Sequence, residues 1–156
     1  EEAYLAGLLH DIGKIVLNEY VRYGYSIISK MVEEKTIPFT EAEREVLGFD
    51  HAEIGAMIID QWALPEVYSL AARYHHMPED LPEGKMNYST IVDVVHVANA
   101  ICLMLGFGLG ADGLQHYISE KALERLNMKD KVELLLSETV NILYQLDEEI
   151  RSEEIV

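Results

Sequence analysis

The sequence predicts an all-α fold, and two observations predict it. Apolar residues recur three or four apart almost throughout, and no alternating apolar and polar run is long enough for a useful strand. The chain has 156 residues, 49% of them apolar, which suits one domain with a sizeable core. Twelve basic and 28 acidic side chains leave a formal charge of −16 with histidine neutral, and no basic run reaches five residues. Such a surface repels phosphate backbones, so nucleic acid is not an expected partner. No apolar run approaches the roughly 20 residues of a membrane helix, and the start lacks a signal peptide's basic region, so no membrane is expected and a cytoplasmic location is. The single Cys102 excludes an internal disulfide and a thiolate zinc cluster.

The elements follow in order. Tyr4, Leu5, Leu8, Leu9, Ile12, Ile15 and Val16 describe one helix running to about Leu17. Gly7 and Gly13 weaken it and imply close packing there. A second helix covers about residues 19–33, and Lys35-Thr36-Ile37-Pro38 forms a connection. Thr40 followed by Glu43 has the pattern of a capping box, and Asp50 followed by Glu53 repeats it. The second signal puts His51 at the first helical position, ahead of an expected buried stripe of Ile54, Met57, Ile58 and Trp62. Pro65 suits the first turn of the next helix, which ends in Tyr74-His75-His76. Pro78 and Pro82 stop that helix, making residues 77–84 the longest expected irregular loop.

Residues 88–105 form the most hydrophobic helix, apolar on nearly every side except for Asp93, His96 and Asn99, three apart on one strip. Unpaired buried polar groups cost about 1–3 kcal/mol each, so this strip should face water, a ligand or a partner network. Gly106, Gly108, Gly110 and Gly113 mark a connection; no strand precedes them, so they form no dinucleotide fingerprint. Asn127 and Asp130 open the last helix, with Val132, Leu135, Leu136, Thr139, Val140, Leu143 and Leu146 on its core face. Residues 148–156 form an acidic tail that should fray.

Taken singly, the histidines have ordinary explanations. His10-Asp11 is a common pair, His51 fits a helix start, and His75-His76 suits the negative end of a helix. His116 belongs at the surface. Together, His10, Asp11, His51, His75, His76 and Asn99 fall on four separate predicted helices. Imidazole and carboxylate donors suit iron, manganese, zinc or nickel, and sites of this kind polarise phosphate groups. Lys14, one turn after the pair, would supply a point charge for a phosphate or a supporting contact to one of the ligands.

Five segments, in order, carry a resemblance: Leu8-Leu9-His10-Asp11-Ile12-Gly13-Lys14, Gly48-Phe49-Asp50-His51-Ala52-Glu53-Ile54-Gly55, Trp62-Ala63-Leu64-Pro65, His75-His76-Met77-Pro78 and Val95-His96-Val97-Ala98-Asn99. Over roughly residues 3–110 the chain resembles the HD superfamily and, within it, the HDOD branch, the HD-related output domains of bacterial signalling proteins. The resemblance implies a helical bundle forming a single domain over 1–156, without the family's N-terminal helices. It implies a metal-type pocket holding one or two divalent transition ions (Fe, Mn, Zn or Ni), or none where the site is degenerate. It also implies a signalling role beside partner proteins or a fused sensory or receiver domain.

In metal-binding members, the ligand pair corresponds to His10 and Asp11, the additional histidines to His51, His75 and His76, and the lysine to Lys14, the catalytic candidate if the chain is an enzyme. An earlier histidine would precede Glu1. The final aspartate falls at Asn99, a poorer ligand, with His96 or Asp93 as substitutes on the same strip. Relatives that hydrolyse cyclic di-GMP carry Gly-Tyr-Pro after the histidine pair, where this chain has Met77-Pro78-Glu79-Asp80. The expectation is therefore a regulatory output domain with a degenerate metal site. The alternatives are a metal-dependent phosphohydrolase acting on a nucleotide or cyclic dinucleotide, and a helical scaffold whose histidines form a buried hydrogen-bonded network.

Overall fold

A computed structural model describes residues 1–106 and 117–153, with side chains described as far as Leu146. Regular structure among these residues is entirely helical: α1 (Glu2–Leu9), α2 (Ile12–Tyr20), α3 (Arg22–Lys35), α4 (Phe39–Leu47), α5 (His51–Gln61), α6 (Glu66–Tyr74), α7 (Ser89–Met104), α8 (Glu120–Arg125) and α9 (Val132–Glu153). No described helix is long and apolar enough to cross a membrane.

The expected first helix is two helices, broken at His10-Asp11, where Asp11 takes φ −103° and ψ 14°. The break redirects the chain so that α2 packs closely on α5. A Cβ added to Gly13 would lie 2.0 Å from the His51 carbonyl oxygen, so only glycine allows this approach. Gly7 does not share that role, because a Cβ there would meet nothing within 4 Å among the described residues.

Thr40 is not a cap. Pro38 (φ −61°, ψ 150°) leads into α4 without any side-chain cap, so the helix starts at Phe39 and Glu43 lies inside it, fully buried. Asp50 does cap α5, accepting from the Glu53 N–H at 2.9 Å. The buried face of α5 is rotated from the expected stripe. Met57 and Trp62 are 60% and 56% exposed, whereas Ala52, Gly55, Ala56 and Ile59 are buried. Small residues let the backbones of α2 and α6 come close, and that proximity outweighs the larger apolar areas of Met57 and Trp62.

One core joins Ala6, Ile59, Val67, Ala71, Ala72 and Val95 across α1, α5, α6 and α7. A second, between α3 and α4, contains Ile28, Val32, Phe39 and Ala42. In a third, Val97 and Ile101 of α7 meet Ala122 and Leu123 of α8, with Val132, Leu135 and Leu136 of α9 packed against them.

The segment after α6 is more ordered than expected. It contains 3₁₀ turns at Pro78–Asp80 and Glu83–Tyr88, and it buries Pro78 and Leu81. The short α8 has no counterpart in the sequence-based expectation. Ser119 caps it, accepting from the Ala122 N–H at 3.1 Å. Asn127, in the left-handed region at φ 56°, follows its last turn and so closes α8 instead of opening the final helix. Asp130 sits in a further 3₁₀ turn, Lys129–Lys131. Leu146 is 47% exposed and off the core face, and the backbone of the expected frayed tail continues α9 to Glu153. Gly108, Gly110, Gly113, His116 and residues 154–156 lie outside the described residues.

Candidate metal centre

Three junctions of the bundle converge. The α1–α2 break presents His10 and Asp11, the start of α5 presents His51, and the end of α6 presents His75 followed by His76. One ligand atom from each of Asp11, His51, His75 and His76 falls within 4.8 Å of the others. Asp11 Oδ1 is 3.3 Å from His51 Nε2 and 3.5 Å from His75 Nε2, and the His51 and His76 Nε2 atoms are 2.9 Å apart. His10 lies against the cluster, its Nε2 3.4 Å from Asp11 Oδ2 and its ring 4.8 Å from that of His75.

The proton positions follow from the partners. A carbonyl can only accept, so His10 Nδ1–H donates to Gly7 O at 2.6 Å and His75 Nδ1–H donates to Ala72 O at 2.7 Å. His51 Nδ1–H donates to Glu43 Oε2 at 2.6 Å, and the same oxygen accepts from the His51 backbone N–H at 2.9 Å. In the neutral rings, therefore, Nε2 of His10, His51 and His75 carries a lone pair turned toward Asp11. Among the described residues, His10 Nε2, His75 Nε2 and Asp11 Oδ1 are buried atoms without a hydrogen-bond partner. Acceptors facing acceptors at this range repel one another unless a cation or a donor lies between them. Imidazole nitrogens with one carboxylate oxygen fit a single divalent transition ion of the iron, zinc, manganese or nickel type.

The electrostatics agree with that arrangement for Asp11, His75 and His76, while His51 holds a proton more readily. Burial raises the Asp11 carboxyl, but contacts with His51, His75 and Lys14 outweigh it and hold the group well below the carboxylate range. Burial pushes His75 down to about 4 against the opposing pull of Asp11, and it lowers His76 as well, reinforced by His75. For His51, burial is overcome by Asp11 and Glu43, and its affinity for a proton rises. Two neutral imidazoles and an ionised carboxylate thus share one point, as metal ligands must. Lys14 Nζ donates to Asp11 Oδ2 at 2.8 Å, which orients the carboxylate.

Asn99 lies beside the four-ligand group. It borders two cavities, one of about 440 Å³ lined also by His10, Asp11 and Lys14, the other of about 100 Å³ lined also by His75 and His76. Asp93 and His96 are not brought to the cluster as substitutes, because their polar atoms are engaged elsewhere. Asp93 is fully buried and forms a two-point pair with Arg125 at 2.6 and 2.7 Å. His96 Nδ1–H donates to the His75 carbonyl at 2.7 Å, and its Nε2 accepts from the Ser119 N–H at 2.9 Å. The Ser119 hydroxyl in turn donates to Glu79. Glu43 is the residue that the sequence reading missed. The signal was its place on the apolar face of α4, where Phe39, Ala42, Glu43 and Val46 share one side.

Comparisons with known proteins agree with this architecture. The HDOD domain model matches residues 1–78. An uncharacterized protein of Treponema pallidum (strain Nichols) is 30% identical over 98 residues, 63% of this chain and 18% of that protein. The crystal structure of an HDOD domain protein with unknown function from Geobacter sulfurreducens superposes with a TM-score of 0.69 at 28% identity, covering 96% of this chain and 51% of the Geobacter chain. The chain thus spans about half of the Geobacter chain and less than a fifth of the Treponema protein. With a family model matching half its length and a solved relative sharing its helical bundle, the chain belongs to the HDOD domain family.

Proposed function

We propose that this domain is a regulatory module of bacterial cytoplasmic signalling in which Asp11, His51, His75 and His76 hold one divalent transition ion. The bundle then passes the state of an attached or partner signalling protein onward without turning over a substrate. The observation that carries this reading is the proton arrangement: the Nδ1–H of His10, His51 and His75 is spent outward, so their Nε2 atoms face Asp11, those of His10 and His75 with no hydrogen-bond partner among the described residues. When bound, an ion would supply a positive charge tying three helix junctions together and Lewis acidity toward any phosphoryl oxygen that reached it. Two features favour regulation over hydrolysis. Asn99 offers a neutral carboxamide where the family's phosphohydrolases have a carboxylate, and Met77-Pro78 replaces the Gly-Tyr-Pro of the cyclic-dinucleotide hydrolases.

One observation favours the second reading, a phosphohydrolase acting on a nucleotide or cyclic dinucleotide. Lys14 and Asp11 line the cavity of about 440 Å³ beside the cluster, where an ammonium group could hold a phosphate. Elemental analysis of protein purified without chelator, followed by phosphodiesterase and nucleotidase assays of the loaded protein, decides between them. The regulatory reading expects close to one bound ion per chain and no turnover. Turnover that disappears in Asp11→Asn would establish the enzyme, and protein that takes up no ion would overturn both.

A further inference from the structure

Three imidazoles of the candidate centre present Nε2 to Asp11, and each needs an acceptor for its Nδ1 proton. His10 and His75 find one in their own chain, in the carbonyl three residues earlier, at Gly7 and Ala72. His51 has no such carbonyl. It is the first residue of α5, so the residue three before it, Gly48, lies outside the helix at φ 84°. The acceptor comes instead from another helix. Glu43 of α4 is fully buried, and a single oxygen, Oε2, takes both the His51 backbone N–H and Nδ1–H, while Oε1 has no partner among the described residues. Burying a carboxylate is costly, and an apolar residue would fill this face of α4 at no such penalty.

We propose that Glu43 is the positioning residue of this centre: its carboxylate holds the His51 proton on Nδ1 and so keeps Nε2 facing Asp11 as a metal-binding lone pair. Without Glu43 the proton would be better placed on Nε2, where Asp11 Oδ1 at 3.3 Å and His76 Nε2 at 2.9 Å can accept it. The cluster would then satisfy itself internally and lose its appetite for a cation. The consequence for affinity rests on the metal-site reading above; the position of the proton does not.

A plain structural role is the competing account, in which Glu43 merely places a negative charge at the N-terminus of α5. Long-range ¹H–¹⁵N NMR of the histidine rings in the metal-free chain separates the two. Wild type is expected to show His51 protonated on Nδ1. In Glu43→Leu the proton should move to Nε2, and Co(II) affinity followed by visible absorption should fall by about 10–100-fold. Glu43→Gln, whose amide oxygen can still accept, should keep the wild-type tautomer and most of the affinity. A wild-type spectrum with Nδ1 bare and Nε2 protonated overturns the proposal, and that measurement requires no variant to fold. Tautomer and Co(II) affinity unchanged in Glu43→Leu, with only the melting temperature lowered, would reduce Glu43 to a helix cap. Wild type with the expected tautomer but no Co(II) binding would sink the metal-site reading while leaving the positioning role intact.

Discussion

Two buried polar regions meet at His75. Toward α8, the carbonyl of His75 accepts from His96, His96 accepts from Ser119, and Asp93 is matched at two points by Arg125. Toward α2 and α5, the imidazole of His75 faces Asp11 Oδ1 with neither atom satisfied, and His10 Nε2 is left in the same condition. Both regions incur the cost of taking polar groups out of water; among the described residues the first recovers most of it and leaves one Glu79 oxygen unmatched, whereas the second leaves several acceptors facing one another. Burial of charged and polar residues therefore does not mark function by itself. A set of acceptors converging on one point is what could hold a metal.

Four measurements would break or sharpen this contrast. The largest effect is expected at Arg125→Ala, which strands the buried Asp93 carboxylate; urea denaturation should show a loss of about 3 kcal/mol. Divalent-ion affinity should stay as in wild type, and a cost below about 1 kcal/mol would show that the α7–α8 network is not the structural half. Next comes His75→Ala, read by calorimetric titration with Zn(II). Affinity should fall by about 100-fold, near 2.7 kcal/mol, while the metal-free protein loses less stability than with Arg125→Ala.

The third measurement is pH. His75 titrates near 4 in the fold against an ordinary 6.5, and His76 is lowered too, so the unfolded chain binds more protons between those values. Their contribution to stability is complete above pH 6.5 and is lost as pH falls toward 4. His51 is raised and opposes this: its contribution is complete below its ordinary value and disappears as pH rises through the folded one. With two imidazoles against one, the metal-free protein should be less stable at about pH 5 than at about pH 7.5, by on the order of 1–2 kcal/mol. The smallest effect belongs to Gly7→Ala. The added methyl meets no described residue and improves helix propensity, so thermal melting should show a gain of up to about 1 kcal/mol. A loss there would reveal an unrecognised close contact on α1.

Helical spacing made the fold class legible, and the same kind of signal located α6 and α7 to within a residue or two and α3 to within three. What it could not reveal was direction. Periodicity along α5 favoured Met57 and Trp62 because they are large, but the buried face is decided by how near α2 and α6 come, and small residues govern that distance. The chain break at His10-Asp11 was hidden for a related reason: apolar spacing continues through it, and the turn is imposed by Gly13 packing on the His51 carbonyl. Asp11, His51, His75 and His76 could be nominated because imidazoles and a carboxylate at helix ends are conspicuous. Glu43 could not be separated from an ordinary capping glutamate, since only the three-dimensional approach of α4 to α5 shows which N–H groups it serves. Asp93 and His96 looked like ligands because Arg125 and Ser119, their actual partners, are 32 and 23 residues away.

The cluster's residues come from three stretches of backbone, with 39 residues between Asp11 and His51 and 23 between His51 and His75. An ion bound there would act as a removable cross-link closing both loops, and closing loops of that size takes entropy from the unfolded chain. His75 and His76, neighbours on one strand of backbone, would behave as a chelating pair, with the first bond bringing the second within reach. Metal supply would then set how tightly α2, α5 and α6 are clasped, so chelator-dependent hydrogen exchange should map onto those three helices first.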